Sequence, residues 1–395
     1  MTVRLHHETH GDPAAPPIVL LGSLGSNAHM WDPQISALSS RAHVIAVDHR
    51  GHGGSPAPAG PYTVSDLGGD MLATLDTLGL DEVHVVGLSL GGAVGQWLAA
   101  HHPLRVRALT LLCTSARFTP AQPWLDRAAT VRGGGIATVA NSVVERWFTP
   151  ELAQRDSQLV AHHVDMVRGT NDEGYAACCE ALARWDGRAD LSRIVAPTLV
   201  IAAEQDGATP VPELRAIADG IAGAELHILS PGAHLASVEQ AGAVTQLIER
   251  HIAAVGSVEM SRRVLRDVGS TVRRSVLGAP HVERTTAGST PFTEPFQDFI
   301  TRTAWGDIWA RDGLDHTTRR LLTMAILTAV GNEHELDMHI RAALRAGTAP
   351  ELLMEVFLHT AVYAGVPNSN RAFALGKEAL ADLASETRGA SERDG

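Results

Sequence analysis

The chain has 395 residues, of which 45 % are hydrophobic and 19 % charged, and its formal net charge is −12. This length exceeds the size at which one hydrophobic core usually stops growing, so we expect two domains. The composition is that of a globular protein and argues against a largely disordered one. The acidic balance argues against nucleic acid as a partner, because phosphate binding needs a concentrated basic face.

Cysteine usage and hydropathy indicate the compartment. Cys113, Cys178 and Cys179 form neither a disulfide framework nor a C-x-x-C pair, which is typical of a reducing environment. The first residues lack the apolar segment of a secretory signal, and no stretch approaches the roughly 18 apolar residues of a membrane span. We therefore expect a cytoplasmic protein without a membrane partner.

Short apolar runs alternate with segments of helical period over residues 1–255, which predicts a mostly parallel sheet with helices on both faces. The alternation breaks between about 118 and 190, where helix-like segments follow one another without a strand-like run. We expect an inserted helical cap there. The strand-like runs are residues 18–21, 44–47, 83–86, 109–112, 199–201 and 226–229.

Beyond residue 255 the strand signals stop, and every periodic segment is typical of a helix. We therefore predict a domain boundary near Gly256 and an all-α domain over residues 258–385. The last ten residues, 386–395, are polar and are expected to form a disordered tail.

Capping signals divide the helical domain. Asp315 is the expected N-cap of a helix over residues 317–330, and a second helix over 333–346 is followed by glycine. The stretch 348–351, Thr-Ala-Pro-Glu, has the pattern of a capping box and predicts the start of a third helix.

A G-x-S-x-G motif occupies residues 87–91. It follows the strand-like VHVV and opens the helix-like GAVGQWLAA, which is the strand–turn–helix context of a nucleophile elbow. Glycines on both sides allow neighbouring backbone to pass without a Cβ clash. The motif therefore predicts Ser89 as a nucleophile above the edge of the sheet.

A serine nucleophile needs a base, and the base needs an orienting carboxylate. The strand-like TLVIAA leads into Asp206, and ELHILS is followed by a loop that carries His234. Both side chains leave the carboxyl ends of strands, on the same rim as Ser89. Glu204 stands two residues before Asp206 and is the alternative carboxylate.

An oxyanion hole requires two backbone N–H donors. Leu90, next to the nucleophile, is expected to supply one, and Leu24 in the glycine-containing loop at 22–25 the other. The loop at 48–53, DHRGHG, is interpreted as structural.

Residues 1–255 resemble the α/β-hydrolase family. More narrowly, GSLGSN, DHRGHGGS, GLSLGG, RWFTP, NDEGYAACCEA and GAHLASVEQ are similar to segments of 3-oxoadipate enol-lactone hydrolases, enzymes of protocatechuate breakdown. The resemblance implies cofactor-free lactone hydrolysis by Ser89, Asp206 and His234. Gly22 departs from the family, in which Asn is expected. A serine nucleophile excludes the dehalogenases and epoxide hydrolases of this fold, whereas a generic carboxylesterase or lactonase stays open.

The substrate of such an enzyme is a small anionic lactone, so its carboxylate needs a partner in the cap. Arg146, Trp147 and Arg168 are the candidate substrate-binding residues there.

In the helical domain, the segment EHELDMH at 333–339 looks at first like a zinc motif. His334 and His339 are five residues apart and point about 140° apart on a helix, so we expect no metal. Glu335 and His339 are four apart and share a face, which allows an acid/base pair or a solvated ion pair.

Residues from about 262 to 380 resemble 4-carboxymuconolactone decarboxylase, on segments that include VRRSVLGAPHVERT, HIRAALRAG and TAVYAGVPNSN. The resemblance implies cofactor-free decarboxylation, with His339 as proton donor or oxyanion partner and Glu335 tuning it. Arg319 or Arg320 would hold a carboxylate, unless they are surface charges. Related alkylhydroperoxidase-D-like enzymes carry C-x-x-C where Asn332 and Glu335 stand, which excludes a thiol peroxidase.

The helical domain contains further histidines and aromatic residues. His316 and His359 are the lesser site candidates, and Trp305, Trp309 and Tyr363 are expected in the core or a subunit interface. The resemblance also implies a homo-oligomer formed through this domain.

Together the two resemblances name consecutive steps: decarboxylation yields 3-oxoadipate enol-lactone, and hydrolysis opens that lactone to 3-oxoadipate. The sequence therefore predicts a bifunctional enzyme without cofactors. The alternative is a serine esterase or lactonase with a single activity, whose C-terminal helices only form an oligomer.

Overall fold

A computed structural model describes the backbone of residues 2–391 and the side chains of residues 2–386. The chain forms two compact units, Met1–Gly256 and Ser257–Gly395. The residues on both sides of this division belong to one helix, Ala241–Leu277, rather than to a linker.

The first unit is built on a seven-stranded sheet in the order β1-β3-β2-β4-β5-β6-β7. Strand β1 is antiparallel to β3, and the other neighbours are parallel. The central strands are buried throughout because helices cover both faces. The strands are β1 His7–His10, β2 Pro17–Leu21, β3 His43–Val47, β4 Val83–Leu88, β5 Val106–Leu112, β6 Thr198–Ala203 and β7 Glu225–Leu229.

Helices surround this sheet and form the predicted cap. Five of them, α4 to α8, lie between β5 and β6 in the chain, within the segment expected to form the cap. The helices are α1 Asp32–Leu38, α2 Val64–Leu78, α3 Leu90–His101, α4 Gln122–Gly134, α5 Ala140–Val144, α6 Pro150–Arg155, α7 Ser157–Arg168, α8 Asp172–Arg184, α9 Val211–Gly220 and α10 Ala236–Glu239, with short 3₁₀ turns at Ala28–Trp31, Pro103–Arg105, Ile136–Thr138 and Leu191–Arg193.

The second unit is helical over the residues that the structure describes. Among the described residues of either unit, no helix is long and apolar enough to cross a membrane. The elements are α11 Ala241–Leu277, which begins in the first unit, α12 Ala279–Ala287, α13 Glu294–Ile300, a π-helix Thr301–Trp309, α14 His316–Val330, α15 Glu333–Arg345, α16 Pro350–Ala364 and α17 Val366–Ser391.

Of the two side-chain caps predicted for this unit, one is confirmed and the other is wrong. The Asp315 side chain accepts from the N–H of Thr318 at 2.8 Å and caps α14 as predicted. The predicted capping box at 348–351 is wrong. Ala349 is the N-cap of α16, and the N–H of Thr348 instead closes the preceding helix by bonding the carbonyl of Ala343 at 3.0 Å.

The segment 386–395, expected to be a disordered tail, is helical as far as Ser391, where α17 ends. Residues 392–395 lie outside the described residues.

Two apolar clusters form the core of the second unit. One joins α14, α15, α16 and α17 around Met324, Ile340 and Phe357. The other contains Trp305 and Trp309 with Val276, Leu277, Val282 and Ala342. The two tryptophans are therefore core residues, whereas Tyr363 is 79 % exposed.

Candidate active sites

The predicted nucleophile stands between β4 and α3 in a strained conformation. Ser89 has φ 56° and ψ −111°, a region that residues with a Cβ rarely adopt. Its N–H donates to the carbonyl of Leu112 at 3.0 Å, and its own carbonyl accepts from the Thr114 hydroxyl at 2.7 Å. These bonds, from the last residue of β5 and from Thr114 just beyond it, hold the elbow in place.

The glycines of the motif are required by close backbone approach. A Cβ at Gly87 would lie 2.3 Å from the carbonyl oxygen of Gly91, and one at Gly91 would lie 2.2 Å from that of Leu21. Since real Cβ atoms do not approach so closely, only glycine lets α3 pack this tightly behind β2 and β4.

The predicted base and orienter are in direct contact. His234 Nδ1 lies 2.8 Å from Asp206 Oδ2, and both side chains are buried. The same carboxylate accepts from the Thr209 hydroxyl at 2.6 Å and from the N–H groups of Ala208 and Thr209. Glu204 instead accepts from the Ser230 hydroxyl at an exposed position, so Asp206 is the carboxylate that reaches the histidine.

Burial alone would raise the pKa of the Asp206 carboxyl. The charge and hydrogen bond of His234, together with donation from Thr209, outweigh burial and lower this pKa overall. Asp206 is therefore ionised, as an orienter of imidazole must be. Thr209 was not identified from the sequence, and only its position three residues after Asp206 hinted at this contact.

Ser89 and His234 line one cavity of about 190 Å³, together with Leu24. Among the described residues no hydrogen bond joins the Ser89 hydroxyl to His234, and such bonds commonly tighten only when a substrate binds. The arrangement allows the imidazole to take a proton from Ser89 once the two groups close.

The two predicted oxyanion donors, Leu24 and Leu90, follow β2 and the nucleophile Ser89 respectively in the chain. Leu24 lines the cavity directly. Leu90 is the first residue of α3, so its N–H has no carbonyl one turn earlier within the helix to bond to. The two N–H groups therefore stay the predicted oxyanion donors.

Two buried histidines hold the loop that carries Leu24. The N–H of Gly25 donates to His52 Nε2 at 3.0 Å, and His49 Nε2 lies 3.2 Å from the carbonyl of Gly22. That carbonyl also accepts from the N–H of Gly91 at 3.0 Å, which ties the loop to the nucleophile helix. The loop at 48–53, interpreted from the sequence as structural, therefore positions the oxyanion loop.

These histidines are neutral. His52 Nε2 accepts a hydrogen bond, so it carries no proton, and Nδ1 donates to the carbonyl of Arg50 at 3.1 Å. Burial, followed by the charge of His52, lowers the pKa of His49 to about 3, and burial also lowers the pKa of His52.

The cap supplies cations and aromatic rings to the cavity. Arg127, Arg146, Trp124 and Trp147 all line it. Within the described part of the chain neither arginine forms an ion pair. Loss of water contact, followed by the charge of Arg127, lowers the pKa of Arg146. Two neighbouring guanidinium groups without an acidic partner favour an anionic ligand.

Of the predicted cap residues, Arg146 and Trp147 reach the cavity and Arg168 does not. The Arg168 side chain is exposed and pairs with Asp165 at 3.2 Å on α7, pointing to solvent rather than to Ser89. Arg127 was missed, because its position on α4 gives no local signal.

The cap is also tied to the loop of the predicted base. The carbonyl of Trp147 accepts from the N–H of Leu235 at 2.8 Å, and the Glu239 carboxylate accepts from the N–H of Ala233 at 2.9 Å. Glu239 also accepts from the Thr149 hydroxyl. The residues on both sides of His234 are therefore held against the cap.

In the second unit, His339 is buried on α15 against Trp309, with ring centroids 6.3 Å apart and nearly parallel planes. Its Nδ1 is buried and has no hydrogen-bond partner among the described residues. Burial, followed by the charges of Arg320 and His281, lowers the pKa of His339 to about 4. The imidazole is therefore neutral near pH 7.

Glu335 does not pair with His339, so the predicted acid/base pair is wrong for the residues described. The two form neither a hydrogen bond nor an ion pair, and the charge of Glu335 acts instead on Arg273 and His281. Their spacing places both on one side of α15, but Glu335 lies in its partly exposed first turn, whereas His339 is buried one turn later.

The two predicted arginines differ. Arg320 is 7 % exposed, and its guanidinium donates to the carbonyls of Ser275 and Val276 at 3.4 and 3.3 Å. Arg319 is partly exposed and donates to the carbonyl of Arg311 at 2.8 Å. Arg320 is therefore the one whose charge reaches His339.

The remaining histidine candidates lie beside aromatic residues. His316 is 6.2 Å from Trp309 by ring centroids, and His359 is 4.9 Å from the exposed Tyr363. Among the described residues, no group of three or more His, Cys, Asp or Glu side chains could hold a metal ion.

Comparison with known proteins agrees with this architecture. Residues 16–241 match the family model for the alpha/beta hydrolase fold. The chain belongs to that family. It is 39 % identical over 250 residues to 3-oxoadipate enol-lactonase 2 of Acinetobacter baylyi, across 62 % of this chain and 92 % of that protein. The crystal structure of the enol-lactonase from Burkholderia xenovorans LB400 matches with a TM-score of 0.62 and 38 % identity, over 64 % of this chain and 97 % of that one.

The C-terminal part belongs to a second family. Residues 294–378 match the model of the carboxymuconolactone decarboxylase family. This part is 45 % identical over 115 residues to 4-carboxymuconolactone decarboxylase of Acinetobacter baylyi, across 29 % of this chain and 86 % of that protein. The predicted fusion is confirmed: the chain joins a serine hydrolase to a carboxy-lyase.

Proposed function

We propose that the chain decarboxylates 4-carboxymuconolactone to 3-oxoadipate enol-lactone and hydrolyses that lactone to 3-oxoadipate. The observation that carries the proposal is the union in one chain of relatives of these two enzymes, 39 % and 45 % identical. The product of one named activity is the substrate of the other, so their fusion has a chemical logic.

The geometry around Ser89 supports hydrolysis by the following steps. His234 takes the hydroxyl proton while the Ser89 oxygen attacks the lactone carbonyl, and Asp206 holds the imidazole through Nδ1. The N–H groups of Leu24 and Leu90 stabilise the developing oxyanion. The ring C–O bond breaks, His234 returns this proton to the leaving enol oxygen, and the freed enol then tautomerises to the ketone. Water, activated by His234, then releases the second carboxylate from Ser89.

The cap selects an anionic lactone. Arg127 and Arg146 hold its carboxylate, and the rings of Trp124 and Trp147 pack against the lactone. This pairing gives the two unpaired guanidinium groups the anion that they lack within the described residues.

Decarboxylation needs no electron sink beyond the substrate. The bond between the ring and its carboxylate breaks, CO₂ leaves, and the electron pair passes through the ring double bond to the lactone carbonyl. A proton from water then adds to the ring carbon beside that carbonyl, which completes the exchange of CO₂ for H⁺. His339 is neutral, since its pKa is about 4, so its role is hydrogen-bond donation to the oxyanion rather than outright protonation. Arg320 holds a carboxylate beside it.

The second unit also supports a homo-oligomer. Large apolar side chains are exposed on it, among them Ile326, Val330, Val362 and Tyr363. This observation favours the second candidate, a single-activity esterase or lactonase whose helical unit only assembles the protein. The three buried free thiols fit our proposal of a cytoplasmic location.

The test is to supply purified full-length protein with 4-carboxymuconolactone. The proposal expects CO₂ and 3-oxoadipate in equal amounts. Hydrolysis of added enol-lactone without any CO₂ release would leave the single-activity candidate.

A further inference from the structure

A second buried guanidinium in the helical unit lies beside a cavity. Arg273 on α11 is 9 % exposed and lines a cavity of about 400 Å³. One of its terminal nitrogens donates to the side-chain oxygen of Gln297 at 3.1 Å. Its Nε is buried and has no hydrogen-bond partner within the described part of the chain.

Arg273 and Arg320 are both buried arginines without an ion-pair partner among the described residues. Burial lowers the pKa of both, the Nε of each is orphaned, and neither forms an ion pair with any described residue. Some exposed arginines of the same unit are paired with a carboxylate, such as Arg266 with Asp298 at 2.5 Å and Arg371 with Glu333 at 2.8 Å. Burying an arginine without an anion is costly, so two such groups indicate a place for bound anionic charge.

The two arginines are linked through histidines. The charges of Arg273 and Glu335 act on His281, and the charges of His281 and Arg320 act on His339. His281 also faces His334 and Arg284, so Glu335 is the one carboxylate among its described charged neighbours. Arg320 is therefore the arginine whose charge acts on His339, whereas Arg273 acts on His281 and lies next to open space.

We propose that Arg273, oriented by Gln297, binds the carboxylate that the substrate retains, while Arg320 lies at the reacting end beside His339. The inference rests on the proposed function. A lactone with one carboxylate on the ring and another on a side arm has two anionic ends, and the unit has two buried arginines that form no ion pair with a described residue, although the charge of Glu335 acts on Arg273. The cavity beside Arg273 has room for the arm that is not cleaved.

Assigning the retained carboxylate to Arg273 gives this residue a role in substrate binding and none in the decarboxylation step. The retained carboxylate keeps its charge from substrate to product, so Arg273 binds ground state, transition state and product alike. Arg273→Gln should therefore raise KM for CO₂ release roughly 10- to 100-fold, the worth of hydrogen bonds to a charged group, and leave kcat nearly unchanged.

The experiment uses the full chain with Ser89→Ala, so that the enol-lactone product is not hydrolysed. KM, kcat and inhibition of CO₂ release by added enol-lactone are measured with and without Arg273→Gln. The expected result is that KM and the inhibition constant rise by the same factor, because substrate and product share this carboxylate. Arg263→Gln, an exposed position on the same helix that lines no described cavity, is the matched control and should change neither.

Retained kcat shows that the unit is folded. If Arg273→Gln loses kcat, two variants that keep the positive charge replace it. Arg273→Lys removes the planar guanidinium, and Gln297→Leu removes the hydrogen bond that orients it. An unchanged KM in both variants would overturn the inference. An unchanged KM in Arg273→Gln, or a raised KM with unchanged product inhibition, would also overturn it. A parent chain that releases no CO₂ would refute the proposed function itself.

Discussion

His234 Nδ1 and Asp206 Oδ2 lie 2.8 Å apart, and the side chains are 6 % and 0 % exposed. A buried pair of this kind fixes the ring tautomer and leaves Nε2 for the hydroxyl of Ser89. Three residues remote in sequence thus meet because β4, β6 and β7 deliver their following loops to one edge of a parallel sheet.

Asp206→Asn should lower kcat for enol-lactone hydrolysis on the order of 10³- to 10⁴-fold with little effect on KM. The amide preserves the shape but favours the wrong imidazole tautomer. Steady-state hydrolysis of added enol-lactone measures this. Glu204→Gln, at the exposed neighbouring carboxylate, is the control and should keep full activity; equal losses in both variants would contradict the assignment.

Gly91→Ala should destabilise the first unit by about 1–3 kcal/mol, because the new Cβ would lie 2.2 Å from the carbonyl of Leu21. Chemical denaturation followed by circular dichroism measures the change. Gly133→Ala in α4, where no atom lies within 4 Å of the new Cβ, should be neutral or stabilising by roughly 0.5–1 kcal/mol. Equal stability of the two variants would contradict the close-approach argument.

Removing a cap arginine should weaken the binding of an anionic substrate and leave a neutral substrate unaffected. Arg127→Gln and Arg146→Gln should each raise KM for the anionic enol-lactone about 10- to 100-fold and leave a neutral ester such as phenyl acetate unaffected. Arg168→Gln, at an exposed ion pair outside the cavity, serves as the control. If the neutral ester lost as much activity as the lactone, the arginines would be supporting the fold rather than binding the anion.

The buried His49 should make stability fall in acid. Its folded pKa of about 3 lies below the unfolded value of 6.5, so the unfolded chain binds more protons between these values. The contribution is fully present above pH 6.5 and is lost as pH falls toward 3, by at most about 1.4 kcal/mol per pH unit.

His49→Gln keeps a donor for the carbonyl of Gly22 and cannot titrate, so it should flatten this part of the profile. Unfolding free energies measured from pH 7 to pH 4 compare the two proteins. A His49→Gln profile as steep as that of the parent would contradict the assignment.

The nucleophile and the ends of the buried strands could be predicted from the sequence, because a nucleophile elbow and a buried strand each have a characteristic pattern in consecutive residues. Strand β1, HETH, was missed because an edge strand of polar residues has no apolar run. Arg127, Thr209 and Arg273 were missed for a different reason. Each acts through a partner distant in space or through a cavity, and neither can be inferred from its own neighbours in the chain.

The most direct measurement of the central claim follows CO₂, enol-lactone and 3-oxoadipate together after 4-carboxymuconolactone is added to three purified full-length proteins. The parent should yield CO₂ and 3-oxoadipate in equal amounts. Ser89→Ala should release CO₂ and accumulate enol-lactone, and His339→Ala should release no CO₂ yet hydrolyse added enol-lactone at the parent rate. Loss of both steps in either folded variant, or no CO₂ from the parent, would contradict two independent active sites in one chain.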